Sequence, residues 1–150
     1  MANIDVLISE MKKPIFLNKD KKVRHIHLSE VGYTSSFGED LQAASIAYAY
    51  CKALKHPEIK SFILYRETDS ETEIASNIAQ GLKTLDGRKK LAYDYYAAAG
   101  TRSFDRYRMQ FKEITGLDID TLVGKPLQTR DSWQLDDRLN PANCSTENSE

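Results

Sequence analysis

Apolar side chains near the start of the chain recur at the spacing of one helical face. Ile4, Leu7, Ile8 and Met11 repeat at intervals of three and four residues, and a proline follows shortly afterwards. This pattern predicts an amphipathic helix over residues 3–12, because every third or fourth side chain of a helix points to the same side.

The spacing then changes to alternation, which predicts a β-strand over residues 23–29. Strict alternation divides the side chains between two faces: Ile26, Leu28 and Glu30 on one, and His25, His27 and Ser29 on the other. The two histidines are therefore expected to be buried or to face a helix, away from Glu30.

Residues 39–55 form the clearest helical pattern in the chain. Apolar side chains occupy two stripes of this helix, so it is expected to pack on more than one side. Ser36 and Glu39 stand three residues apart, as in a capping box at the start of a helix, and His56–Pro57 ends the pattern. Cys51 lies within an apolar stripe and is expected to be a small buried residue.

A second and mostly apolar segment, residues 59–66, predicts a strand of the parallel type that is covered on both faces. Further helices are predicted over residues 86–99 and 103–112, and a loop over residues 116–124. Residues 134–150 are polar and are expected to be a disordered tail.

Helices and strands therefore alternate in the order α-β-α-β-α, which is typical of an α/β fold with parallel strands joined by right-handed crossovers. Two parallel strands make a small core, and a complete (β/α)8 barrel takes about 250 residues. The domain, residues 3–133, is accordingly expected to be part of a larger α/β unit.

The composition fits one soluble globular domain. The chain has 150 residues, of which 41% are hydrophobic and 29% charged, and 21 basic residues nearly balance 22 acidic ones. The small net charge argues against nucleic acid or a membrane as partner, and the basic run Lys19–Arg24 is interpreted as a solvated loop rather than a phosphate-binding patch. No apolar run of about 20 residues and no signal peptide is recognisable, so the sequence does not indicate a compartment.

The chain contains no metal-binding or nucleotide-binding motif. CxxC, HExxH and P-loop sequences are absent, and two cysteines cannot make a disulfide framework. The sequence therefore carries no strong signature of a metal or nucleotide site.

The candidate chemistry lies where the first predicted strand ends. Glu30 follows the apolar part of the strand directly, and active sites of parallel α/β barrels are built at the carboxyl ends of strands. A carboxylate in this position either takes part in catalysis, or accepts hydrogen bonds from loop N–H groups, or pairs with Arg66.

Several motifs, taken in order, resemble a known family. They are the strand end Leu28–Ser35, the helix start Gly38–Ala44, the helix segment Ala47–Tyr50, the strand end Tyr65–Arg66 and, beyond it, Asp69. Their order and spacing resemble the closing units of glycoside-hydrolase-like TIM-barrel proteins, and in particular the family called domain of unknown function 5722. The resemblance covers about residues 3–133.

This resemblance implies a partial (β/α)8 TIM barrel, to which the chain contributes the last two strand–helix units. In retaining glycosidases built on this barrel, the carboxylate that ends strand seven is the nucleophile, and that role falls to Glu30. The partner acid/base ends strand four, which lies outside this chain, so the chain alone is expected to be inactive. Tyr33, Arg66 and Asp69 are the implied substrate-binding residues.

Each of these three residues also has a structural interpretation. Tyr33 either stacks on a sugar ring or packs at the barrel rim, Arg66 either orients Glu30 or forms a structural ion pair, and Asp69 either binds a sugar hydroxyl or caps a loop. The chain also departs from the family pattern, because Tyr65 and Glu67 stand where the family tends to have histidine.

The sequence therefore predicts the C-terminal portion of a glycoside hydrolase that acts on a carbohydrate by a two-carboxylate mechanism. The alternative is a non-catalytic α/β interaction module or barrel remnant. Such a module would be completed by the missing barrel half or by a second copy of itself. Neither the sugar nor the linkage is indicated.

Overall fold

The computed structural model describes residues 3–124, which form six α-helices and a parallel two-stranded sheet. The elements are, in order, α1 (Ile4–Met11), one turn of 3-10 helix (Pro14–Phe16), β1 (Ile26–Val31), α2 (Glu39–Leu54), β2 (Ile59–Leu64), α3 (Glu71–Ile74), α4 (Leu91–Ala98), α5 (Phe104–Thr115) and α6 (Ile119–Gly124). The α/β class and the parallel strand pair agree with the prediction. None of the helices within residues 3–124 has the length and apolar character needed to span a membrane. The predicted tail, residues 134–150, lies outside the described residues.

The helix predicted over residues 86–99 begins later than its apolar pattern indicates. It starts at Leu91, because the chain before it is held in bridges to other loops: Lys83 pairs with Thr68 on one side and with Lys89 on the other. Backbone pairing of this kind depends on distant residues and leaves no local periodicity to detect.

The prediction of a loop over residues 116–124 was wrong, since Ile119–Gly124 forms α6. Gly116 ends α5 in the left-handed conformation with φ +70°, which glycine adopts at little cost. Asp118 then accepts a hydrogen bond from the Thr121 N–H at 2.8 Å. A carboxylate in this position satisfies a free donor of the first helical turn, and so the next helix starts almost at once.

The start of α2 is not a capping box. Gly38 is the N-cap residue, with φ +126°, and no side chain caps it. Glu39 instead pairs with Arg88 at 2.6 Å and accepts a hydrogen bond from the Leu91 N–H at 3.4 Å. The capping-box prediction was wrong because a cation far along the chain replaces the local backbone donor as the partner of this carboxylate.

Helix α2 is the centre of the core. It packs against β2, α4, α5 and α6, which confirms that it is covered on more than one side. Its alanines are buried and let the neighbouring helices approach closely, and Cys51 is buried as predicted. The space between the helices is filled by large aromatic side chains: Tyr95, Phe104, Tyr107 and Phe111.

The two strands pair in parallel with an irregular register. Leu28 lies opposite Phe62, and Val31 lies opposite Leu64, so three steps along β1 match two steps along β2. This is a β-bulge, in which two residues of one strand face one residue of the other. Glu30 lies inside the bulge, and the strict alternation predicted for β1 therefore ends before it.

Helices cover only one face of the sheet. Phe62 meets the ring of Tyr50 in α2 edge-on, with the ring centroids 6.2 Å apart, and Leu64 packs against the core. On the opposite face Ile63 is 50% exposed. The apolar pattern of β2 predicted cover on both faces, and within residues 3–124 that cover exists on one face alone.

Candidate functional site

The carboxyl ends of β1 and β2 lie side by side. The Tyr65 N–H donates to the carbonyl oxygen of Val31 at 2.9 Å, which extends the strand pairing one residue beyond β2. The next peptide bond, between Tyr65 and Arg66, is cis. The pairing brings the segments that carry Glu30 and Arg66 to one edge of the sheet, which we call the carboxyl edge.

Glu30 is an exposed carboxylate at the carboxyl edge. The hydrogen bonds and ion pairs formed within residues 3–124 do not include its side chain. Neither structural interpretation of this residue, a loop N–H partner or an ion pair with Arg66, is therefore realised in the described part of the chain. A carboxylate so placed is open to a molecule that approaches from solvent.

Arg66 pairs with a different carboxylate. Its Nη1 lies 3.5 Å from Oε2 of Glu73 in α3, and its guanidinium carbon lies 5.6 Å from the ring centroid of Tyr65. The expectation that Arg66 orients Glu30 is therefore not met here, and the structural ion pair is the arrangement observed. Its predicted contact with substrate stays a prediction.

Tyr33 packs inwards. Its ring lies half-buried against the core. Burial raises the pKa of its hydroxyl well above the ordinary value of 10.0, and nearby Tyr48 adds a smaller effect in the same direction. A ring in this position contributes to packing at the rim, and its stacking on a sugar stays a prediction.

Asp69 is buried, and both of its carboxylate oxygens have protein partners. Oδ1 accepts a hydrogen bond from the Gly81 N–H at 2.7 Å, and Oδ2 pairs with Nζ of Lys90 at 2.7 Å. A sugar hydroxyl would have to share or replace one of these partners to reach Asp69. The predicted sugar contact therefore stays a prediction, while the role in holding a loop is observed.

Lys90 is a site residue that the sequence did not reveal. Besides Asp69, its ammonium group donates to Ser35 Oγ at 2.9 Å and lies 3.5 Å from the carbonyl oxygen of Ala79. One cation thus joins the loop after β1, the loop after β2 and the start of α4. No local signal distinguishes Lys90 from Arg88 and Lys89, which precede it and are exposed.

Gln42 is a second buried residue that the sequence reasoning missed. Its Nε2 donates to the carbonyl oxygens of Tyr33 at 2.8 Å and of Gly81 at 3.1 Å. Only glycine fits at position 81, because a Cβ there would lie 2.2 Å from the backbone nitrogen of Asp69. A usable signal existed, since Gln42 stands beside alanines on an apolar side of α2.

Two loops at the carboxyl edge are tied together by backbone and hydroxyl groups. The Ser35 N–H donates to Ala79 O at 2.8 Å, and the Ala79 N–H donates to Thr34 Oγ1 at 3.0 Å. Ser36 Oγ donates to Asn77 O at 2.9 Å. The loop that follows Glu30 is therefore held in one shape, which suits a binding edge because less entropy is lost when a ligand binds.

A cavity of about 330 Å³ opens beside the end of β2. It is lined by Arg66, Glu67, Tyr93 and Tyr96 together with apolar side chains. Glu67 pairs with Lys83 at 2.6 Å, and the hydrogen bond from that ammonium lowers the pKa of Glu67. The volume falls within the range of small-molecule sites.

The first two carboxylates after β2 pair with lysines. Glu67 pairs with Lys83, and Asp69 pairs with Lys90. A two-carboxylate reaction requires a second carboxyl about 5 to 5.5 Å from Glu30 for retention, or about 6.5 to 9.5 Å for inversion. Neither Glu67 nor Asp69 is therefore a carboxylate without a basic partner. Within residues 3–124, no group of three or more His, Cys, Asp or Glu side chains is placed to hold a metal ion.

Comparison with known proteins gives one match. A family model described as Family of unknown function (DUF5722) matches residues 1–121. No curated protein and no solved structure matches the chain.

Proposed function

Because the chain belongs to DUF5722, a family of unknown function, we propose that it forms the last two strand–helix units of a glycoside-hydrolase-like (β/α)8 barrel. In this proposal β1 and β2 are the last two barrel strands, and Glu30 is the nucleophile-type carboxylate. The substrate is a carbohydrate, and the reaction uses no metal and no organic cofactor.

The sheet supports the barrel part of the proposal. Parallel sheets are normally covered on both faces, but here helices cover one face, and Ile63 on the other is half exposed. In a barrel, the open face becomes the interior, filled by side chains from all strands. The free edges of β1 and β2 then pair with the strands on either side of them.

The observation that carries the chemical part is the state of Glu30. It is exposed, it lies at the carboxyl end of a parallel strand, and no side chain within residues 3–124 pairs with it. Structural carboxylates at such edges are held by partners, as Asp69 is by Lys90 and by the Gly81 N–H. A carboxylate without a partner, at the edge where barrel enzymes bind substrate, is suited to act as a nucleophile toward the substrate.

The proposed reaction assigns a role to each group. An oxygen of Glu30 forms a bond to the anomeric carbon, and the bond from that carbon to the leaving oxygen breaks, with its electron pair going to that oxygen. A general acid from outside the described residues protonates the leaving oxygen, and water later hydrolyses the glycosyl-enzyme. Tyr33, Arg66 and Asp69 surround the sugar in this proposal.

Labelling with activated 2-deoxy-2-fluoro glycosides tests the nucleophile directly. A dinitrophenolate leaving group departs without protonation, so the missing general acid is not required. We expect intact-mass analysis of the chain to show one added fluoroglycosyl group, and peptide mapping to place it on Glu30. The variant Glu30→Gln is expected to remain unlabelled.

Glu67→Gln is the matched control, since it removes a carboxylate at the neighbouring strand end that pairs with Lys83. It is expected to be labelled as the parent chain is. Labelling that survives in Glu30→Gln, or a label that peptide mapping places on a residue other than Glu30, would refute the assignment of Glu30.

The alternative, a non-catalytic interaction module, is favoured by the apolar side chains on the open face of the sheet, Ile63 above all. That function requires the chain to complete its sheet with a partner. A monodisperse dimer in light scattering, in which hydrogen exchange protects the edges of β1 and β2, would support the module. A monomeric chain that is labelled by the fluoroglycosides, and that loses this labelling in Glu30→Gln, would support the enzymatic function.

A further inference from the structure

A second surface lies away from the carboxyl edge, in the segment that connects α1 to β1. We call residues 12–25 the basic loop. Its first part contains the 3-10 turn Pro14–Phe16, and its second part is a turn in which Asn18 Oδ1 accepts hydrogen bonds from the N–H groups of Asp20 and Lys22, both at 2.9 Å. Local hydrogen bonds therefore give this segment a defined shape.

The two parts of the basic loop are joined to each other. Arg24 Nε donates to the carbonyl oxygen of Phe16 at 3.1 Å, and the Asn18 N–H donates to Lys22 O at 2.9 Å. The apolar 3-10 turn and the lysine-rich turn are therefore held together as one structured segment.

The basic loop carries a strong local charge although the whole chain is nearly neutral. It holds six Lys and Arg residues and one carboxylate, Asp20. Lys12 and Lys13 pair with carboxylates outside the loop, at 3.7 and 2.7 Å. The side chains of Lys19, Lys21 and Lys22 are exposed and take no part in the ion pairs formed within residues 3–124.

Two apolar side chains of the same basic loop are also exposed. Ile15 is 82% exposed and Phe16 is 42% exposed. When a structured turn keeps a large aliphatic side chain exposed to water, transfer of that side chain into an apolar environment is favourable.

From this combination we propose that the basic loop binds the surface of an anionic lipid bilayer, with Ile15 and Phe16 inserted among the headgroups. Exposed lysines attract an anionic leaflet, and apolar side chains enter the boundary between headgroups and acyl chains. A nucleic acid backbone would satisfy the lysines but offers no apolar phase for Ile15, so the bilayer accounts for both features. The inference is independent of the proposed role of Glu30.

Sedimentation of the full chain with lipid vesicles tests the proposal. We expect binding to vesicles of phosphatidylcholine with about 30% phosphatidylserine, and none to pure phosphatidylcholine, because the lysines respond to anionic headgroups. Binding is expected to weaken when NaCl rises from about 0.1 M to about 0.5 M, since salt screens exposed charges.

Two sets of variants separate charge from insertion. Replacing Lys19, Lys21 and Lys22 together by glutamine is expected to weaken binding on the order of 100-fold, about fivefold for each lysine. Replacing Lys89, Arg102 and Lys112, which are exposed elsewhere, removes the same charge and is the matched control; it is expected to leave most of the binding intact. Ile15→Ser is expected to weaken binding about tenfold, and Ile63→Ser, on the open sheet face, should have little effect.

Three results would overturn the proposal. The first is equal binding to neutral and anionic vesicles, and the second is an equal loss of vesicle binding in the two charge variants. The third is tighter binding to a duplex oligonucleotide than to anionic vesicles, where Ile15→Ser changes neither the oligonucleotide binding nor the vesicle binding. Where a variant fails to fold, the dependence of the parent chain's vesicle binding on salt and on phosphatidylserine still tests the proposal.

Discussion

The ammonium of Lys90 lies 2.7 Å from Oδ2 of Asp69, and these side chains are 2% and 4% exposed respectively. Two opposite charges are thus shielded from water at the centre of the carboxyl edge. A buried charge whose partner is removed cannot recover its hydration, so breaking such a pair costs far more than breaking one at the surface.

Lys90→Met is therefore expected to lower the free energy of unfolding by about 3 to 5 kcal/mol, because it leaves the Asp69 carboxylate buried without a cation. Urea denaturation followed by circular dichroism measures the change. Arg88→Met is the control, since the exposed Arg88–Glu39 pair should contribute about 0 to 1 kcal/mol. Equal losses in the two variants would show that Asp69 and Lys90 are not a buried pair.

A second carboxylate links stability to pH. Lys52 Nζ and His56 Nε2 donate to the two oxygens of Asp5 at 2.6 and 2.8 Å. Burial acts to raise the pKa of Asp5, but these two donors together outweigh it and hold the pKa below the ordinary value of 3.8. The contribution of Asp5 is therefore complete at pH values above the unfolded pKa and is lost as pH falls through the lowered folded pKa.

Asp5→Asn is accordingly expected to lower the free energy of unfolding by about 1 to 3 kcal/mol at neutral pH. Below about pH 4 the difference from the parent chain should shrink, because the parent protonates Asp5 as well. Urea titrations at several pH values between neutrality and pH 3 measure it. Asp20→Asn, in the exposed turn of the basic loop, is expected to show little change at any of these pH values. A difference for Asp5→Asn that is the same at every pH would contradict the linkage.

Tyr95 illustrates the cost of a buried polar atom. Its ring is fully buried, and its hydroxyl has no hydrogen-bond partner within residues 3–124. Burial, with smaller effects of Tyr107 and Glu113, raises the pKa of Tyr95 to about 12. Since an unpaired buried hydroxyl costs about 1 to 3 kcal/mol, Tyr95→Phe is expected to leave thermal stability unchanged or to raise it.

Tyr107→Phe is the matched control for that change, because the Tyr107 hydroxyl accepts a hydrogen bond from Arg106. It should lower the melting temperature. A clear destabilisation by Tyr95→Phe in differential scanning calorimetry would mean that the Tyr95 hydroxyl has a partner after all.

Glu30 and Asp69 are expected to behave oppositely when neutralised. Glu30→Gln should change the free energy of unfolding by less than about 0.5 kcal/mol, because exposed side chains without partners contribute little. Asp69→Asn should reduce it by several times as much, since it leaves Lys90 buried beside a neutral amide. Chemical denaturation of the two variants compares them, and a large loss in Glu30→Gln would point to a structural role for this residue.

The elements of the fold were largely predictable because they depend on local patterns. The helical spacing of apolar residues placed α1 and α2 within a residue of their observed bounds. Alternation placed β1, a mostly apolar run placed β2, and the order of helices and strands predicted their parallel pairing. These signals arise from the periods of the helix and the strand themselves. The start of α4 and the existence of α6 were missed, because bridges to distant loops and a single capping carboxylate set them.

The site was predictable only in part. That Glu30 stands at a strand end follows from its place in the sequence, and the structure agrees. That Arg66 contacts Glu73, and that Asp69 contacts Lys90, follows from how the loops fold against each other. Contacts between side chains of different loops follow no regular spacing in the sequence, so the sequence does not indicate them.

By itself, then, the sequence determined the α/β alternation, the central place of α2 and the position of a carboxylate at the end of β1. These depend on interactions between residues close in the chain or on the burial of a whole face. Only the tertiary structure decided which charges are paired, where β1 is bulged, and that Ile15 lies exposed in the basic loop. Each of these depends on which loops come together, and the free energy that selects one pairing over another is a property of the packed molecule.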